Sequence, residues 1–287
     1  MNRARNIQQC VFFLSALGIG ILFFSGIKLP QEFLVMVLAV LVAVVGLPHG
    51  ALDPLVARKA GLWRTTTGLT CFIAVYLLLA GAAGLLWFWA PGLSLVAFLT
   101  YSAWHFAGDW REWLSSKWRL CAGATVICAP SLLHPDLVTN YFSLLTGGDA
   151  SSLVRVIQWL AIPALAGTFL SAIRCARTQP VVTTELAVLA ISAVALPPLI
   201  FFLLYFCGLH SPRHLIATAK GLNRSLAAST AIGLTLLTVA LATVIFVVSP
   251  SAQVDQRLLQ ITFIGLAVLT VPHVILIEHY ASRERRA

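Results

Sequence analysis

An all-α, polytopic bundle of transmembrane helices is the fold class this sequence predicts, and three observations predict it. The first is composition. Of 287 residues, 59% are hydrophobic and 10% are charged, with a mean hydropathy of +0.91. Globular domains carry charge at roughly a quarter of their positions, and ten acidic with nineteen basic side chains cannot cover a water-facing surface of this size. The second is length: eight apolar stretches approach the roughly 20 residues a helix needs to cross a bilayer. The third is the uneven placement of Lys and Arg between those stretches. Together they exclude a soluble enzyme and a disordered chain. A disulfide scaffold is excluded too, because Cys10, Cys71, Cys121, Cys128, Cys175 and Cys207 lie in apolar stretches and form no C-x-x-C pair.

The predicted spans are 8–27, 33–52, 67–90, 92–108, 153–172, 186–208, 226–249 and 258–277. The first follows Arg3 and Arg5, as a signal peptide would. No small-residue cleavage site follows it, and Lys28-Leu29-Pro30 leads directly into the second span, so it reads as a retained helix. A shorter apolar stretch, 118–133, and a weaker one, 137–146, remain. Basic residues mark the cytoplasmic side. If 118–147 enters and returns as a re-entrant hairpin, fifteen of the nineteen basic residues fall inside. Only Lys28, Arg174, Arg177 and Arg257 fall outside. Counting 118–133 as a full crossing would put Arg213, Lys220, Arg224 and the Arg283, Arg285 and Arg286 tail outside. The sequence therefore predicts eight crossings, one hairpin and both termini in the cytoplasm of a cell with this protein in its plasma membrane. The net charge of +9 is then a topology signal and not a sign of nucleic acid. No repeat is evident, and 1–287 reads as a single integral membrane domain.

Ionisable residues at membrane depth are costly and mark function. Five of the seven histidines lie in or at the ends of spans. His49 ends the second in Pro-His-Gly-Ala-Leu-Asp, and His105 ends the fourth in Trp-His-Phe. His210 and His214 end the sixth in His-Ser-Pro-Arg-His, and His273 follows Pro272 in the last. The topology, drawn from Lys and Arg alone, puts His49, His105, His210 and His214 on one side. His210 and His214 are four apart and share a helix face. Imidazoles converging from several helices suit a transition metal, because neutral nitrogen ligands bury little charge. Asp53 and Asp109 follow His49 and His105 by four residues. They are candidates to orient a metal-bound imidazole through its second ring nitrogen, or else solvated helix-end acids paired with Arg58 and Arg111. His134, in Leu-Leu-His-Pro-Asp, reads as a loop residue, and Glu278 with His279 as interfacial. Pro48 and Pro272 break helices where a cavity is to be lined. The rings of Trp104, Phe106 and Tyr205 are candidates to line an apolar substrate tunnel. No G-x-S-x-G, Walker loop, G-x-G-x-x-G or H-E-x-x-H occurs.

The Pro-His-Gly-Ala-Leu-Asp run at 48–53, Trp-His-Phe at 104–106, His-Ser-Pro-Arg-His at 210–214 and Pro-His at 272–273 resemble the Brp/Blh family of microbial membrane carotenoid-cleaving enzymes. The resemblance covers most of the chain, in order and spacing; the stretch before the second span carries no motif of it. It implies a β-carotene 15,15′-dioxygenase that splits the central double bond with O2 into two retinal molecules, commonly the chromophore of a microbial rhodopsin. It also implies non-haem Fe(2+) held by His49, His105, His210 and His214, with His273 a fifth ligand or a neighbour. Three other readings stay open beside it. A di-iron lipid desaturase or hydroxylase would need several H-x₂₋₄-H boxes, and only His210 and His214 make one. A histidine-lined metal or proton transporter would move ions without altering carotenoid. A lycopene-cyclase-like enzyme would not need the histidines.

Overall fold

A computed structural model describes residues 2–27, 29–249 and 253–284, with side chains for 3–27, 29–249 and 253–278. Lys28, Arg285 and Arg286 lie outside the described residues, as do the side chains of His279 and Arg283. Among the described residues the chain is helical, with no strand. The helices are α1 (Asn2–Phe24), α2 (Gln31–Leu41), α3 (Leu47–Gly50), α4 (Asp53–Lys59), α5 (Thr66–Trp89), α6 (Pro91–Phe106) and α7 (Ser116–Cys128). They continue as α8 (Pro135–Thr146), α9 (Ser151–Cys175), α10 (Pro180–Ala195), α11 (Pro198–Tyr205), α12 (Ser211–Ala219), α13 (Arg224–Val248) and α14 (Val254–Glu284).

Seven of these stretches are long and apolar enough to cross a membrane, or eight if the bent pair α7–α8 counts as one span. The chain is therefore a multi-pass membrane protein. The outward faces agree: α13 presents Leu236, Leu237, Leu241, Val244, Val247 and Val248, each more than half exposed, a surface that lipid solvates and water does not.

The hairpin predicted at 118–147 is present. Its two helices meet at 99° across the short break 132–134, which Pro130 and Pro135 flank. Two predicted spans differ from their expected form. The stretch 92–108 is the 16-residue α6 continued by a tighter 3₁₀ turn, Ala107–Trp110. The stretch 186–208 is broken between α10 and α11. Leu196 and Pro197 are extended there (ψ 147° and 142°), because Pro197 and Pro198 each disfavour helix at the preceding residue. The break frees carbonyls at the end of α10, and His134 donates from Nε2 to one of them, Ala195 O, at 3.2 Å. His134 is thus a structural residue of the hairpin turn.

By contact the chain forms two compact units. The first comprises the residues up to Leu34 together with Leu95–His210. Its interior is built from small residues that let helices approach. A side chain at Gly123 of α7 would collide with the Ala103 carbonyl of α6 and come within 2.8 Å of Ala107 N, so only glycine lets α7 lie this close to the helix carrying His105. Thr125 of α7 and Thr168 of α9 share a buried hydroxyl–hydroxyl bond of 2.9 Å, worth about 1 kcal/mol in a membrane interior.

The second unit comprises Val35–Ser94 and the residues from Ser211 onward. Here α14 packs on α4, α5 and α13, and α3 packs on α12 and α13. Local signals start its helices. Thr65 accepts from Gly68 N at 3.2 Å ahead of α5, and Asn223 accepts from Leu226 N at 3.0 Å ahead of α13.

Candidate metal centre

Each unit carries a buried aspartate that holds one imidazole and one tyrosine hydroxyl.

In the second unit the aspartate is Asp53, 1% exposed at the start of α4. It accepts from His273 Nδ1 at 2.9 Å and 3.0 Å on its two oxygens, and from the Tyr76 hydroxyl at 2.9 Å. His273 is placed by α14 one residue beyond Pro272, whose missing N–H loosens the helix at that level. His49 enters by a different device. A π turn, Val42–Gly46, closes with Leu47 N–H bonded to Val42 O, and Pro48 follows immediately. Such turns re-aim side chains and recur at functional sites. The His49 Nδ1 then meets the Gly46 carbonyl. A carbonyl only accepts, so Nδ1 carries the proton and the neutral ring presents its lone pair at Nε2. His273 is fixed in the same sense by Asp53. The ring centroids of His49, His273 and His214 form a triangle: 5.2 Å from His49 to His273, 6.0 Å from His49 to His214 and 6.4 Å from His214 to His273.

In the first unit the aspartate is Asp109, in the 3₁₀ turn after α6. It accepts from His210 Nδ1 at 3.1 and 3.2 Å and from the Tyr205 hydroxyl at 2.7 Å. His105 and His210 lie with ring centroids 5.0 Å apart, both buried. Aromatic rings enclose His210: Phe106 edge-on at 4.8 Å and Phe206 stacked at 5.7 Å. A second π turn, Phe206–His210, delivers this histidine. Pro212 then follows and cannot serve the carbonyl one turn back, at Gly208. Gln8 of α1 serves it instead, from Nε2 at 3.0 Å. The helix runs unbroken from Pro198 to Ala219, so His214 stands one turn beyond His210. His105, His210 and His214 have the donor type that holds a transition metal.

The sequence-predicted residues therefore fall as follows. His105 and His210 come together in one unit, and His49, His214 and His273 in the other. Asp53 and Asp109 each receive an imidazole from a distant part of the chain, 220 and 101 residues away. Phe106 and Tyr205 pack around His210, and Tyr205 also holds Asp109. Trp104 stands apart, 45% exposed. Beside His49 and His273 lies a cavity of about 330 Å³, walled by Leu47, Phe72, Tyr76, Leu234, Leu266 and Leu269, with Asp53 at its polar end. Sequence reasoning missed Tyr76 and Gln8. Tyr76 is a lone phenol in an otherwise apolar span, and that isolation was the available signal; Gln8 stands beside Gln9 at the start of the first span, with nothing to single it out.

Comparison with known proteins fits this chemistry. Residues 40–280 match the sequence profile of the family described as beta-carotene 15,15′-dioxygenase. The chain belongs to the β-carotene 15,15′-dioxygenase family. A family member from an uncultured marine bacterium, 66A03, named beta-carotene 15,15′-dioxygenase, is 32% identical over 249 residues, 83% of this chain and 90% of that protein. A Halobacterium salinarum protein named probable beta-carotene 15,15′-dioxygenase Blh is 27% identical over 297 residues, 88% of this chain and 86% of its own. No solved structure matches the chain. The family profile spans all five histidines and both aspartates.

Proposed function

We propose that this protein cleaves β-carotene at its central 15,15′ double bond with O2, leaving one oxygen atom on each carbon of the broken bond and so releasing two retinal molecules. The observation that carries the proposal is the pairing of an all-nitrogen donor set with a hydrocarbon-walled cavity: His49 and His273 are backed by Gly46 O and Asp53, and the cavity begins beside them. His49, His105, His210 and His214 are the proposed ligands, with His273 as a fifth. The donor set fits a borderline transition metal. Zinc has no redox chemistry, so an O2-dependent reaction points to iron as Fe(2+). Bound there, iron supplies the oxygen activation that side chains lack.

The chain's own residues supply the rest. Asp109 and Asp53 hold His210 and His273 by Nδ1, keeping Nε2 as the ligating atom. Tyr205 and Tyr76 hold the carboxylates in turn. The apolar walls exclude water and take the polyene from the bilayer. We place the whole of 1–287 in the plasma membrane as one integral domain with both termini in the cytoplasm, where the retinal made can serve a retinal-binding rhodopsin.

Expression in β-carotene-accumulating bacteria tests this. The expected result is loss of orange colour with retinal in the chromatogram, abolished by alanine at His49, His105, His210 or His214. Unchanged carotenoid from the intact protein overturns the function, and full activity from both His210→Ala and His214→Ala overturns the ligand assignment.

A further inference from the structure

The cavity beside His49 and His273 does not stand alone. A second, of about 270 Å³, lies in the same unit between α2, α13 and α14. The two share four walls, Leu47, Thr238, Leu266 and Leu269, so they adjoin along α13 and α14. The path begins at His273 and ends near Leu258, fifteen residues back along α14, which is about 22 Å at the helical rise of 1.5 Å per residue. Its walls are mostly hydrocarbon, with the Thr235 hydroxyl buried and without a hydrogen-bond partner among the described residues. Thr238, Thr243 and Thr270 turn their hydroxyls back onto carbonyls of their own helices, at 2.9, 2.8 and 2.6 Å. At the other end Ile73, Leu77 and Leu237 line the first cavity and are also exposed on the outer surface of the unit, which makes an apolar mouth facing lipid. Halfway along the inner part is Gly265, where an added Cβ would meet nothing within 4 Å. Gly265 lines the second cavity, so a larger side chain there has room to grow into it.

We propose that these two cavities form the subsite for one arm of the carotenoid, entered from the bilayer between α5 and α13, and that Gly265 sets how long an arm the enzyme accepts. This rests on the cleavage reading given above. The polyene's reacting end lies beside His49 and His273, and its terminal ring lies beyond Gly265 among Phe246, Leu258 and Ile261. A substrate with one short arm can put that arm here and needs no space past Gly265.

The test uses the full-length protein in membranes with Gly265→Ala, Gly265→Leu and Gly265→Phe, assayed on β-carotene and on an apocarotenoid with one arm shortened and its ring removed. Discrimination by bulk in an apolar pocket runs from about 10-fold upward. The Leu and Phe variants should therefore lose about tenfold or more in kcat/KM for β-carotene while keeping most activity on the short-armed substrate. The Ala variant should resemble the parent on both, because a methyl fits a helical glycine site with open space. Equal losses on both substrates from Leu and Phe, or no loss on either, overturn the arm assignment. If the parent turns over neither substrate, the cleavage reading fails. The cavity is then tested by quenching of tryptophan fluorescence on adding β-carotene: saturable quenching by the parent that Gly265→Phe weakens supports the subsite, and identical quenching by the two overturns it.

Discussion

Asp109 and Asp53 make the same three-part arrangement of carboxylate, imidazole Nδ1 and tyrosine hydroxyl, yet their surroundings differ. Around Asp109 the partners are aromatic: Phe106, Phe206 and Tyr205 pack against His210, and the stacked Trp110 donates to the buried Glu185 at 2.8 Å. Around Asp53 the same groups border a void, because Tyr76 and His273 are themselves cavity walls. One set of bonds has aromatic rings packed against it, and the other has open space beside it. In the proposed function the first is an anchor for its histidines and the second the face that meets substrate. Identical hydrogen bonds can therefore serve stability in one place and access in another, depending on what fills the space beside them.

Removing the carboxylates should expose that difference most strongly. Losing a partner that orients a metal-bound histidine costs 10–100-fold in affinity or activity, so Asp109→Asn and Asp53→Asn should each lower bound iron and retinal production by about that factor. Asp109→Asn should also lower the melting temperature in detergent, since a buried group left unsatisfied costs about 1–3 kcal/mol and aromatic rings crowd this one. Asp53→Asn should lower it less, because Tyr76 and His273 border open space into which the groups left unpaired can shift. Equal melting shifts in the two variants would remove the distinction between anchor and substrate face.

The tyrosines come next in size. Tyr205→Phe and Tyr76→Phe each delete one hydrogen bond, worth about 1.5–3 kcal/mol to a charged acceptor. Tyr205→Phe should lower kcat with little change in KM. Tyr76→Phe should change both, since its ring borders the space proposed for the polyene. A change confined to kcat in both variants would show that Tyr76 does not meet substrate.

Gln8→Ala should have the smallest effect. It leaves the Gly208 carbonyl unserved beside the π turn that delivers His210, at a cost of about 1 kcal/mol, and should reduce thermal stability slightly while sparing KM. A larger effect on KM than on melting would place Gln8 in the substrate path and not behind the histidine.

Much of this was legible before any coordinates. Helix spans over 8–27, 67–90, 153–172, 226–249 and 258–277 could be read because apolar run length is a local property. The hairpin at 118–147 followed from counting charges. Legibility failed at 186–208, where hydropathy continues smoothly through Leu196-Pro197-Pro198 while the backbone does not. It failed again for Tyr76, since one phenol in a span has no periodicity to betray its partner.

The sequence by itself determined that this is a polytopic helical membrane protein and that five histidines, in or at the ends of its spans, are its costly polar groups. Both follow from transfer energetics, which each residue carries with it wherever it folds. Only the tertiary structure decided that Asp53 receives His273 from 220 residues away beside a cavity, and that Asp109 receives His210 among aromatic rings. Those outcomes depend on which helices lie side by side, and in lipid that is set by interhelical packing of small residues and shared hydrogen bonds, which no single stretch of sequence contains.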